Sequence, residues 1–118
     1  MFRENLQRIV EQTPGGVAGL LMGFDGIAVD SFTSEPERLD IQTVGMEFSF
    51  ILTQVRKAAE ILEVGGVEEV TIRAEQVTIL IRVLTVNYFM ALAVAPQGNL
   101  GKGRYLLRVV SPKFQAEL

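Results

Sequence analysis

Two neighbouring segments constrain the fold of this chain more than any other feature. Val77–Leu84 and Tyr88–Ala95 are apolar at nearly every position. A strand with one wet face alternates apolar and polar residues, because successive side chains point to opposite sides. These two do not alternate, so both must be covered on both faces. The chain therefore has to place helices on each side of a sheet, and the remaining residues must supply them.

The flanking sequence reads accordingly. Phe2, Leu6, Ile9 and Val10 recur at helical spacing, and Pro14-Gly15-Gly16 ends that helix near Gln12. Val17–Phe24 and Ile27–Phe32 flank Asp25-Gly26, a hairpin signal of the type I′ kind. Ser34 to Arg38 is a polar loop. A long helix follows, with Asp40 as its N-cap and Gly65-Gly66 as its stop. Three strands come next, Val67–Ala74, Val77–Thr85 and Tyr88–Ala95, joined by Glu75-Gln76 and Val86-Asn87. Asn99 caps a last helix running towards Gln115, in which Pro112 is expected to introduce a kink. The expectation is one α+β domain spanning residues 1–118, with a five-stranded antiparallel sheet, helices on both faces and the order α-β-β-α-β-β-β-α.

A two-residue turn at Glu75-Gln76 fixes a register in which opposed residue numbers sum to 151. Val70 then faces Ile81, Ile72 faces Ile79, and Glu69 faces Arg82 as a charge pair. Glu69, Thr71 and Arg73 alternate with Val70 and Ile72, so this strand has one wet face and belongs at the sheet edge.

The long helix is the segment that speaks to function. Ile41, Val44, Phe48, Ile51, Val55, Ala58 and Leu62 form one stripe, enough to cover a sheet. Met46, Phe50, Ile61 and Val64 project roughly opposite it, with Thr53 and Lys57 among them. Either other parts of the chain cover this second apolar face, or a partner does. The simplest partner is the same helix in a second copy, antiparallel about a two-fold axis near Phe50. The edge strand beside it, carrying Glu69, Thr71 and Arg73, could pair with its symmetry mate and continue the sheet.

Composition excludes much chemistry. The chain has no Cys and no His, which removes thiolate nucleophiles, disulfides, the usual general base and the usual metal ligand. No metal or other cofactor is expected. Gly98-Asn99-Leu100-Gly101-Lys102-Gly103 is glycine-rich, but its spacing departs from the phosphate loop and Gly103 stands where that loop needs Ser or Thr. A strand-to-helix turn accounts for it. Glu68 and Glu69 point to opposite faces, Asp25 belongs to its turn, Asp40 to its cap, and Asp30 has no identifiable partner in the sequence. No acid is paired with a base, so no enzyme is expected.

Charge is uneven. Residues 96–118 carry Lys102, Arg104, Arg108 and Lys113 against Glu117, net +3, while the first 95 residues are net −6. These cations form either a solvated helix face or a docking patch for an acidic protein. Nucleic acid is disfavoured, since no exposed aromatics accompany the charges. The N-terminus lacks a signal-peptide pattern, and the longest uncharged stretch, Val83 to Gly101, is broken by Asn87, Pro96 and several glycines. A cytoplasmic location without membrane insertion is expected.

Several short stretches resemble the roadblock/dynein-light-chain family. They are Met22-Gly23-Phe24-Asp25-Gly26-Ile27, Ala58-Ala59-Glu60, and Gly98-Asn99-Leu100-Gly101-Lys102-Gly103-Arg104-Tyr105. The tail, Arg108-Val109-Val110-Ser111-Pro112-Lys113 through Ala116-Glu117-Leu118, is most similar to the MglC type within that family. The resemblance covers essentially the whole chain. It implies a homodimer with a continuous sheet and antiparallel long helices. It further implies a non-enzymatic regulator or scaffold for a Ras-like GTPase, partnered by another roadblock regulator, in bacterial polarity and motility. It brings no catalytic residue, and Arg56 near the long helix does not qualify as an arginine finger. The competing expectation is a small-molecule sensor of similar α+β build, which would need a pocket with convergent polar groups.

Overall fold

In the computed structural model, which describes all 118 residues, the two apolar segments become neighbouring strands deep in one antiparallel sheet. The elements are α1 (Phe2–Gln12), β1 (Gly16–Gly23), β2 (Ala28–Thr33), α2 (Ile41–Leu62), β3 (Glu69–Arg73), β4 (Thr78–Val83), β5 (Tyr88–Val94) and α3 (Leu100–Glu117). This is the expected α-β-β-α-β-β-β-α order. The strands lie in the order β2-β1-β5-β4-β3, so β5 is central and β2 and β3 are the edges.

Both faces are covered, as continuous apolar strands require. On one side α1 and α3 bring Leu6, Ile9, Leu107 and Phe114 onto Leu80, Met90 and Leu92. On the other, Ile41 and Leu52 of α2 join Leu20, Met22, Ile79, Ile81 and Phe89. The register between β3 and β4 is the one set by the two-residue turn. Glu69 opposes Arg82, Val70 opposes Ile81 and Ile72 opposes Ile79, and the Glu69 and Arg82 side chains lie 3.6 Å apart.

Three local expectations need correction. The β1–β2 connection is not a type I′ turn, because only Gly26 has positive φ (85°). The Gly26 amide bonds to the Gly23 carbonyl and the Gly23 amide to the Ile27 carbonyl. That is a three-residue loop, with glycine in the one left-handed position. Second, α2 ends at Leu62, before Gly65-Gly66. Glu63 itself adopts the left-handed cap conformation, with φ 56° and ψ 40°, and the Val64 amide returns to the Ala59 carbonyl.

The third correction concerns which face of α2 meets the sheet. Its buried residues are Ile41, Gly45, Ser49, Leu52 and Ala59. Ile51, Ala58 and Leu62, expected on the covering stripe, are exposed. The buried stripe contains glycine, serine and alanine, which a count of large apolar residues passes over. Gly45 shows why small residues sit there. A Cβ at that position would lie 2.3 Å from Leu20 Cδ2 and 2.9 Å from the Met22 thioether, so its absence lets helix and sheet approach closely. At the other end of the chain, α3 continues through Pro112 to Glu117. No helix is long and apolar enough to cross a membrane.

Candidate interaction surface

The outer face of α2 is apolar and bare. Met46 is 58% exposed, Phe50 72% and Ile61 75%. Ile51 and Leu62 extend this surface. Thr53 and Lys57 are also exposed on the helix, the Thr53 hydroxyl donating to the Ser49 carbonyl at 3.1 Å. Val64 is exposed too, but it lies past the helix end, in the connection to β3. No loop and no part of α1 covers these side chains. An open groove of about 430 Å³ lies at the end of α2, bounded by Arg56, Glu60 and Glu63 and by Val67. Arg56 is half-buried with its guanidinium over the Phe24 ring at 4.0 Å, so it packs rather than reaching outward.

The two sheet edges differ in a way the sequence did not reveal. Ladder bonds from the Ala74 amide to Val77 and from the Val83 amide to Glu68 set the alternation along β3. By that alternation Glu69, Thr71 and Arg73 turn their amides and carbonyls away from β4. None of these backbone groups has a partner within the chain. On β2 the outward residues are Thr33, opposite Ala18, and, at the middle of the strand, Ser31, opposite Leu20. The Ser31 amide donates to Asp30 Oδ1 at 2.9 Å, and its carbonyl accepts from the Arg3 guanidinium at 3.0 Å. Side chains thus occupy the middle of the β2 edge, a common way to block unwanted pairing, whereas β3 is open. Asp30, which had no visible partner in the sequence, has this role.

The basic residues of α3 do not form one patch. Arg104 folds back onto the wet face of β3, 3.5 Å from Glu69 and donating to the Thr71 hydroxyl at 3.2 Å. Glu69 therefore bridges Arg82 and Arg104. Arg108 lies over Tyr105, 5.7 Å from the ring centre. At about 100° per residue, Lys102 and Lys113 project from the opposite flank of the helix. Two further acids are accounted for locally: Asp25 accepts from the Ile27 amide, and Asp40 accepts from Gln42 and Thr43. The Thr43 hydroxyl at 3.0 Å holds the Asp40 carboxyl below its ordinary pKa.

The element order, with α1 and α3 on one face of a five-stranded antiparallel sheet and α2 on the other, is that of the roadblock fold. Solved structures agree. The chain has a TM-score of 0.85 with a Roadblock/LC7 domain from Streptomyces avermitilis, at 12% identity over 97% of this chain and 94% of that one. With MglB of Myxococcus xanthus the TM-score is 0.86, at 9% identity over 98% and 85% of the two chains. At such identities the likeness shows the fold alone. With MglC of Myxococcus xanthus the identity is 46%, covering 99% of this chain and 98% of that one, at a TM-score of 0.71. The chain belongs to the roadblock family and is MglC-like. No family model matches the sequence, and no curated protein sequence matches it.

Proposed function

We propose that this chain is a non-enzymatic homodimeric adaptor, acting through protein contacts in a Ras-like GTPase system that governs bacterial polarity or gliding motility. The observation that carries this reading is that one chain has both a bare apolar face on α2 and an unpaired strand edge at β3. The first is costly to leave in water, the second is a template for pairing with another strand, and one two-fold axis can cover both.

The edge suggests its own register. Antiparallel pairing of β3 with its symmetry mate about Thr71 brings each outward backbone group opposite another. Glu69 then faces Arg73 of the partner subunit, a favourable charge pair, and Val70 faces the partner's Ile72. The motility setting is supported by the 46% identity to MglC of Myxococcus xanthus.

Calorimetric titration of the purified chain against a purified MglB-type regulator, and separately against a Ras-like GTPase loaded with GTP, tests the adaptor role. Saturable binding to at least one, with no GTP turnover by the chain alone, is expected. Binding to neither, or GTP hydrolysis by the chain itself, would overturn the reading.

A further inference from the structure

A second surface lies on the far side of the sheet from α2. The α1 and α3 helices run antiparallel there, with Phe2 against Phe114 at one end, ring centres 5.2 Å apart. Along their seam are two adjoining depressions of about 150 Å³ each, which share Asn5 and Lys113. On α3, Leu106, Val109 and Lys113 line this seam at spacings of three and four residues, and Lys102, four residues before Leu106, continues the stripe beyond it towards the start of the helix. Leu106 and Val110 are half-buried and Val109 is 55% exposed, which leaves an apolar floor open to solvent. Arg8 of α1 stands on the opposite wall.

Charge identifies the occupant. Arg8, Lys102 and Lys113 take part in no ion pair within the chain. The acids of α1 are engaged elsewhere: Glu4 with the N-terminal ammonium at 3.3 Å, and Glu11 with the Gln7 amide at 3.1 Å. Of the six cations on the two helices, Arg3, Arg104 and Arg108 are turned to Ser31, Glu69 and Tyr105, which leaves Arg8, Lys102 and Lys113 for the seam. An unpaired basic rim around an apolar trough fits the helix-in-groove mode of recognition. We infer that the α1–α3 seam is a docking groove for an acidic amphipathic helix of another protein. The helix inserts an apolar side chain over Val109 and Leu106, and its carboxylates reach Arg8 and Lys102. Glu117 lines the far depression, so the acidic end of the bound helix lies towards Lys102 rather than towards the C-terminus of α3.

This groove names a partner surface for the adaptor and so rests on that reading, but it does not involve the α2 face. The test is titration of isotope-labelled full-length protein with a synthetic amphipathic helix of about 14 residues, long enough to follow the seam, with leucines on one face and glutamates on its flanks. A lysine-flanked twin and phosphatidylserine vesicles are run alongside. Amide shifts confined to the seam around Arg8, Leu106, Val109 and Lys113 are expected with the glutamate peptide only. Arg8→Glu combined with Lys102→Glu should weaken binding at least about tenfold, the scale of one lost charge-assisted contact, and should reduce its salt dependence. No shifts, equal shifts with the lysine twin, shifts on α2 instead, or seam shifts only with vesicles would each overturn the inference. Sedimentation of the same samples reports dimerisation separately, so a failed groove and a failed dimer give different results.

Discussion

Replacing Phe50 by Asp is the sharpest test of the α2 face. Phe50 is 72% exposed in the single chain, so the substitution removes no contact that holds the monomer together. A phenylalanine offers roughly 200 Å² of surface, so at that exposure about 140 Å² remains to be buried by a partner. At about 25 cal/mol per Å², covering it is worth up to about 3.5 kcal/mol per chain, or about 7 kcal/mol for two symmetry-related copies. That is an upper bound of about five decades in the dissociation constant. An unpaired carboxylate in the same place adds a desolvation cost. Sedimentation equilibrium over a wide concentration range should therefore show a dimer for the parent and a monomer for Phe50→Asp, with unchanged far-UV dichroism. Val86→Asp is the matched control. Val86 is equally exposed at 72%, but it lies at the β4–β5 turn, and its substitution should leave the dimer intact. A Phe50→Asp protein that sediments as the parent does would refute the argument from exposed apolar area.

Two further outcomes are expected. The chain has no cysteine, so Thr71→Cys creates a single reporter. Directly paired residues across β3 would place the two Cα atoms about 5.5 Å apart, within disulfide range, whereas Val70→Cys would meet its mate only on a diagonal of about 7–8 Å. Mild oxidation should crosslink the first and not the second on a non-reducing gel, and the reverse pattern would exclude the Thr71-centred register. Asp40 gives a pH signature. Its carboxyl is held below the ordinary value by the Thr43 hydroxyl first, then by the Thr43 amide. The contribution of its charge to stability is thus complete above the unfolded-state pKa and lost as pH falls through the folded one. The Tm difference between the parent and Asp40→Asn should be constant at neutral pH and shrink in acid. A difference that does not change with pH would remove the charge from the capping argument.

Much of this fold was legible in the sequence, and particular elements show why. The apolar runs at β4 and β5 demanded cover on both faces, and α1 and α3 on one side with α2 on the other provide it. The Glu75-Gln76 turn set the β3–β4 register, because a two-residue connection leaves one way to oppose the strands. The stripe on α2 was less legible. Gly45, Ser49 and Ala59 meet the sheet there, and burial of small residues depends on how near the neighbouring surface comes. Hydropathy does not encode that distance.

What the sequence determined by itself is a two-sided sheet, an excess of apolar side chains on its longest helix, and the lack of histidine and cysteine chemistry. These follow from periodicity and composition, which are local properties. Only the tertiary structure decided which edge of the sheet is free and which cations are free. Arg3 and Ser31 are 28 residues apart, and Arg104 and Thr71 are 33 apart. Folding brings each pair together, blocking the β2 edge and withdrawing Arg104 from the basic face of α3. A hydrogen bond across such a separation depends on how the chain packs, and no pattern along the sequence can display it.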